Sequence, residues 1–324
     1  MLKLDSKDYK ILYALYLDSR QSFSSIATKA QLNRNIVKYR IKKLAQKGII
    51  KNYITIADLF KTGYTIYKLY IRLQFATPEK NKEIIEHIKK SKYTWKIDIV
   101  KGKYDIITSV ICENQKIISS FFEDLLKKYR YYFKEILFSQ IYETYGFKHS
   151  TTVFKENQNK ENRKKENLLQ LNKNKEEINL DELDKKILFQ LINNARIPTN
   201  ELAKNLSITS PTVCSRIKKL KKMGIIKRFS ININTSILGY KTFLVSLSII
   251  NYNKIEEIIN HLIKNPYVQE INKIIGNYDI EIMLFSTTLE HFHAIMENLR
   301  ELFSNDILNY DYLFIENEYY CSNI

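Results

Sequence analysis

The chain is written twice. Displaced by 176 residues, LDSKDYKIL from Leu4 aligns with LDELDKKIL from Leu180, and VKYRIKKLAQKGIIK from Val37 with VCSRIKKLKKMGIIK from Val213. Nineteen of the 50 pairs between 4/180 and 53/229 are identical. Gly63-Tyr64 then matches Gly239-Tyr240, and at a displacement of 174 KGKYDIITSV (101–110) matches IGNYDIEIML (275–284). A period this long excludes a solenoid, whose units are about 20–50 residues. The fold must be one that a two-part module can adopt twice.

Residues 151–179 separate the copies and are mostly Lys, Asn, Glu and Gln, a composition that buries too little to offset ordering entropy. They read as a polar linker. The remaining segments are 1–60, 61–150, 180–235 and 236–324, with net charges of +8, +7, +7 and −7. The first parts of the two copies agree in sign and the second parts oppose. The total of +17 favours a polyanionic partner, nucleic acid or an anionic membrane surface. No window approaches the roughly 18 apolar residues of a membrane span, and no helix joins a basic face to a wide Trp/Phe-rich one. The N-terminal stretch carries acids inside its apolar run and lacks a small-residue cleavage site, so it is not a signal peptide. Cys112, Cys214 and Cys321 are too few and too scattered for a disulfide framework or a metal cluster, so a cytoplasmic chain without metal or cofactor is expected. Seven glycines and no Gly-rich loop argue against nucleotide-binding enzymes.

In the first part of each copy, Leu4, Ile11, Leu12 and Leu15 have helical spacing, with Asp5 as N-cap. A second helix spans Ser24 to Lys29, and a third runs from about Arg34 to Gln46 and stops at Gly48. Ile49-Ile50 and Tyr53 to Ile56 alternate as strands of a wing. In copy two Ser210-Pro211 supplies the cap and first turn of the third helix, and Gly224 its stop. Val37, Ile41 and Leu44 must face the core, which leaves Arg34, Asn35, Lys38, Tyr39, Lys42 and Lys43 on the outer face. The equivalent face of copy two carries Ser210, Thr212, Ser215, Lys218 and Lys219, with Cys214 at its edge. Basic helices carrying amide, hydroxyl and aromatic groups suit a major groove. Lys51, Lys227 and Arg228 open the wings where phosphates would lie, whereas Arg40 and Arg216 flank the core stripe opposite Asp8 and Asp184 and read at least as well as structural ion pairs as they do as phosphate contacts.

These residues resemble the Lrp/AsnC, or feast/famine, family of prokaryotic transcriptional regulators. The resemblance rests on the opening Leu-Asp…Asp…Ile-Leu and on Arg-Ile-x-x-Leu-x-x-x-Gly-Ile-Ile at the end of the third helix, and it spans both copies outside the linker.

The second part of copy one offers a strand at 65–75, a helix at 79–90, strands at 93–101 and 104–112 joined by Gly102-Lys103, a helix at 115–128 and a strand at 133–145. This βαββαβ order is ferredoxin-like, so the fold class is α+β: two copies of a winged helix-turn-helix followed by a ferredoxin-like domain. The resemblance implies pairing of such domains through their sheets, and an amino acid or other small effector near a Gly-x-Tyr-Asp hairpin. That motif is present as Gly102, Tyr104 and Asp105 and as Gly276, Tyr278 and Asp279. Glycine there is equally what a type II′ turn requires, and Tyr104 and Asp105 can simply pack and cap a strand.

Opposite net charges in the second parts predict that the two halves pair within one chain as a pseudo-dimer. The unlike third helices then predict an asymmetric double-stranded DNA site with half-sites about one helical turn apart. A non-specific architectural DNA coat is the main rival. An enzyme resembling the siroheme decarboxylases is a weaker one, since neither IDIVKGKYDIITS nor INKIIGNYDIEIM contains histidine and the five histidines are dispersed.

Overall fold

The computed structural model describes residues 4–146, 169–172 and 177–321. The described chain forms two compact units, one of residues 4–62 and 177–240, the other of 63–146, 169–172 and 241–321.

The first unit holds both helix-turn-helix segments. Copy one contributes α1 (Ser6–Leu17), α2 (Phe23–Ala30), α3 (Arg34–Gln46) and β1 (Ile50–Ala57). Asp5 caps α1 in a capping box with Asp8, and Asn33 caps α3. Gly48 takes φ +69°, a left-handed conformation that lets the chain leave α3 directly into β1. Ile11, Leu12, Leu15, Ile26, Val37, Ile41 and Leu44 interlock as the core of this copy. Copy two repeats the plan with α6 (Glu182–Asn193), α7 (Thr199–Asn205), α8 (Ser210–Lys222) and β7 (Ile226–Ile233). The cap of α8 is Thr209, whose hydroxyl accepts the Thr212 N–H, so Ser210 is the first helical residue and not the cap expected from sequence.

The wings differ from the sequence expectation. Each copy supplies a single strand, and β1 pairs antiparallel with β7 of the other copy. The stretch Lys51 to Ile56 has neither Gly nor Pro at which to fold back, so its alternating face finds a partner in the equivalent stretch. Ile54 pairs with Ser230, its own counterpart at a displacement of 176. The register therefore places a local two-fold through this pair.

Two arginines one repeat apart tighten the contact. Arg20 donates to the carbonyls of Ala195 (2.8 Å) and Ile197 (2.9 Å), and its guanidinium stands 5.4 Å from the Phe229 ring centroid. Arg196 reaches back over Phe23 and Tyr53. Burial pushes both guanidinium groups below their ordinary pKa.

The second unit is a sheet closed on itself. Copy one gives β2 (Thr65–Leu73), α4 (Pro78–Lys90), β3 (Thr94–Lys101), β4 (Ile106–Cys112), α5 (Gln115–Tyr129) and β5 (Phe133–Gly146). Copy two gives β8 (Lys241–Ile249), α9 (Ile255–Lys264), β9 (Val268–Ile275), β10 (Ile280–Ser286), α10 (Leu289–Leu302) and β11 (Ile307–Tyr320). Strands run β5-β2-β4-β3 in one copy and β11-β8-β10-β9 in the other, the ferredoxin order twice. The long strands β5 and β11 cross the seams, β5 onto β9 and β11 onto β3, and close the ring. The two seams match residue for residue: Gln140↔Ile275 and Thr144↔Asn272 on one side, Phe314↔Lys101 and Glu318↔Asp98 on the other. The copies thus pair within one chain.

Each helix pair covers one outer face. Leu69, Ile71, Ile84, Ile88, Ile106, Phe121 and Leu125 fill the core of copy one; Val245, Leu247, Ile258, Ile282, Phe292 and Met296 fill that of copy two. The opposite face of the strands is unusually polar, with Lys68, Asp98, Ser109, Ser246 and Glu281 all buried. β6 (Leu169–Asn172) pairs with the end of β5 and buries Leu171. It lies in the segment read from sequence as a polar linker. The described run Leu169-Gln170-Leu171 alternates apolar and polar residues and so can use an open strand edge, whatever its surroundings. The remainder of that linker, apart from 177–179, falls outside the described residues.

Candidate nucleic-acid interface

The third helix of each copy is held by the first through a charge cluster. Arg40 lies 2.8 Å from both Asp5 and Asp8, and the two carboxylates raise its pKa above the ordinary value. Arg216 pairs likewise with Asp181 and Asp184 and is raised for the same reason. Both arginines orient the recognition helices from behind, as the spacing predicted.

On α3 the outer face is open. Arg34, Asn35, Lys38, Tyr39, Lys42 and Lys43 are all exposed, Tyr39 at 63 %. Lys43 Nζ lies 5.9 Å from the Tyr39 ring centroid, so cation and ring form one solvent-facing group. Ile36 stands beside them at 45 % exposure. Sequence reasoning passed over it because it is apolar, yet it misses the Val37/Ile41/Leu44 stripe, and that was the signal. An exposed aliphatic at the start of a recognition helix suits a thymine methyl group.

On α8 the face is poorer. Ser215 and Lys218 are exposed, as is Cys214, but Ser210 and Thr212 are only half-exposed, and the Thr212 hydroxyl bonds to Thr209. Three basic residues assigned to phosphates in the sequence reading have partners within the protein: Lys227 and Arg228 are half-buried, while the Lys219 side chain stays 47 % exposed. Lys219 Nζ lies 2.6 Å from the buried carboxylate of Asp184. Lys227 faces the buried Asp58 at 3.6 Å. Arg228 bonds the Tyr16 hydroxyl (2.9 Å) and lies over that ring at 4.4 Å. For Lys227 and Arg228 a buried acceptor or ring outcompetes solvent for the cation, whereas Lys219 shares its ammonium between Asp184 and water. Lys51 is exposed.

The Gly-x-Tyr-Asp motifs are built for architecture. β3 ends at Lys101 and β4 starts at Ile106, so Gly102 to Asp105 form a four-residue connection and not a two-residue hairpin. Asp105 accepts the Leu73 N–H at 2.7 Å, and Asp279 the Ile249 N–H at 2.7 Å. Tyr104 donates to Glu135 (3.1 Å) and Tyr278 to Asp311. Gly276 is required by close approach: a Cβ there would sit 2.5 Å from Ser139 Oγ and 2.9 Å from the Phe138 carbonyl across the seam. Gly102 has Leu313 in the same place, at 2.9 Å. A pocket of about 440 Å³ opens beside the second motif, lined by Gly276, Tyr278, Asp279, Ile275 and the hydrogen-bonded pair Tyr142 and Tyr252 (2.8 Å).

A winged helix-turn-helix DNA-binding family model matches residues 4–51 and 180–227. The HTH-type transcriptional regulator FL11 of Pyrococcus horikoshii is 30% identical over 118 residues, 36% of this chain and 78% of that protein. The regulatory protein AsnC of Haemophilus influenzae is 31% identical over 119 residues, again 36% of this chain and 79% of that protein. The chain belongs to the Lrp/AsnC family. Because one helix-turn-helix match falls in each copy, it is a tandem-duplicated member. The crystal structure of the siroheme decarboxylase NirDL shares the fold, with a TM-score of 0.63 at 15% identity over 97% of this chain and 92% of that one. No group of three or more His, Cys, Asp or Glu side chains that could hold a metal ion occurs among the described residues, and no helix is long and apolar enough to cross a membrane.

Proposed function

We propose that this Lrp/AsnC-family chain is a transcriptional regulator that binds an asymmetric DNA site as a single-chain pseudo-dimer. The observation that carries this is the first unit itself: two recognition helices of different composition, joined by β1–β7 pairing about a local two-fold. A symmetric dimer presents the same residues to both half-sites. Here one half-site would meet Asn35, Ile36, Lys38 and Tyr39, the other Pro211, Thr212, Cys214 and Ser215. Asn35 and Tyr39, with Thr212 and Ser215, are assigned base contacts; Arg34, Lys38, Lys42, Lys43, Lys51 and Lys218 are assigned phosphates. A small effector is assigned to the pocket beside Gly276, where hydroxyl groups from both copies meet.

Fluorescence anisotropy on the DNA upstream of the chain's own gene and on scrambled DNA, from about 50 to 200 mM salt, tests the reading. Preference for the upstream DNA that survives at high salt supports it. Equal, salt-collapsing binding would favour an architectural coat. Replacing Asn35 by Ala should narrow the gap between specific and scrambled DNA; equal loss on both would reject its reading role.

The whole-chain likeness to the decarboxylase fold favours one second reading, an enzyme on a tetrapyrrole. An absorbance shift on mixing with an iron tetrapyrrole, without any DNA binding at low salt, would bring it forward.

A further inference from the structure

We infer that the closed sheet accepts only one pairing, copy one with copy two, because its buried ion pairs between copies are asymmetric. The inference rests on the pairing of the two sheets within one chain. Lys68 on β2 pairs with Glu281 on β10, the side chains 7 % and 0 % exposed, and the same carboxylate accepts the Tyr70 hydroxyl. Lys96 on β3 lies 2.9 Å from Glu318 on β11. Lys273 on β9 lies 3.0 Å from Glu143 on β5.

None of these pairs has a symmetric mate. The repeat places Leu244 where copy one has Lys68, and Ile107 where copy two has Glu281. Glu270 and Thr144 stand in the places of Lys96 and Glu318, and Ile99 and Asn317 in those of Lys273 and Glu143. The matched seam registers make these correspondences structural as well as sequential.

Two copy-one sheets closing on each other would set Lys68 against Ile107, Lys96 against Thr144 and Glu143 against Ile99. Two copy-two sheets would set Glu281 against Leu244 and Glu318 against Glu270, a contact of like charges. Lys96 and Lys273 would keep an acid of their own copy, Asp98 and Glu256, but Lys68 would exchange its acid for Ile107, and Glu281 its lysine for Leu244 and its Tyr70 hydroxyl for that of Ser246. An uncompensated buried charge is strongly unfavourable, whereas an apolar pair of similar volume is often neutral. The charges thus act mainly against the wrong partner. Closure of two copy ones, or of two copy twos, is disfavoured whether they come from one chain or from two, so every closed ring joins unlike copies.

The test uses the full chain with Lys68→Leu, Glu281→Ile and both together, which installs the aliphatic residues that the repeat already carries at those places. Each single change should lower the folded-to-unfolded ratio in a denaturant titration by roughly 100-fold or more. The double variant should recover most of that loss. Full chains that also carry Gln140→Cys and Lys101→Cys, positions that face each other only where two copy ones close, should form more of the 140–101 interchain disulfide in the double variant than in the parent. Losses that multiply in the double variant, with no 140–101 disulfide in either background, would overturn the selection by these charges while leaving intrachain pairing intact. A 140–101 disulfide as abundant in the parent as in the double variant would overturn both.

Discussion

Lys43 and Lys219 occupy the same place in the repeat, and their surroundings predict different behaviour on DNA. Lys43 faces solvent beside Tyr39, whereas Lys219 is held 2.6 Å from Asp184, whose side chain is fully buried. Each phosphate contact contributes about 0.9 to the slope of log K against log salt. Removing Lys43 should therefore flatten the slope by about 0.9, which between 50 and 200 mM amounts to a roughly 3.5-fold change in relative affinity. Lys43→Ala should leave thermal stability nearly unchanged, since it removes only an exposed side chain. Lys219→Ala should do the reverse. It leaves the Asp184 carboxylate with Arg216, at 3.1 Å, as its remaining cation, at a cost of about 1 kcal/mol because Lys219 is half-exposed, and it should barely alter the slope. Anisotropy over a salt series and calorimetry on the same preparations separate the two effects. An equal loss of slope in both variants would refute the assignment of Lys219 to the Asp184 cluster.

Other outcomes follow from particular contacts. Gly276→Ala drives a Cβ into Ser139 and the Phe138 carbonyl and should lower stability by about 1–3 kcal/mol in a denaturant titration; an unchanged midpoint would show that the seam yields there. Arg20→Ala removes two charge-assisted hydrogen bonds to the turn between α6 and α7, about 3 kcal/mol together, and should speed amide exchange at that turn; unchanged exchange would contradict a clasp. The Asp184 N–H and the Arg216 guanidinium hold the Asp181 carboxyl below its usual range. Its stabilising effect is therefore complete above the unfolded carboxylate value of about 3.9 and is lost as pH falls through the lower folded value. Because the group is half-exposed the effect is less than about 1 kcal/mol, and Asp181→Asn should flatten the acid limb of the stability curve by that amount.

Local signals carried the fold a long way. The stripe Val37/Ile41/Leu44 is buried, Asp5 caps α1, Gly48 ends α3 and Arg40 meets Asp8, because each depends on residues within a few turns or on one facing helix. The wing strands were visible, but not their partner: β1 pairs with β7 across more than half the chain, a choice that alternation alone cannot make. The same holds for β6, whose short apolar run gains meaning only from the free edge of β5. Charge was legible as a sum and misleading residue by residue. Lys227 and Arg228 are basic wing residues in sequence, yet Asp58 and Tyr16, distant in the chain, take them inward. The opposite charges of the second parts did foretell the pairing, and Lys68–Glu281 and Lys96–Glu318 run as those sums require. Lys273–Glu143 runs against them, which shows that individual sites and not net charge set the register.

Selection of bound sequences from a random duplex pool by the full chain tests the asymmetric reading most directly. The expected motif has two unlike halves about one helical turn apart, and Asn35→Ala should erase information from one half alone. A palindromic motif, or information lost equally from both halves, would contradict a single chain that reads DNA through two different helices.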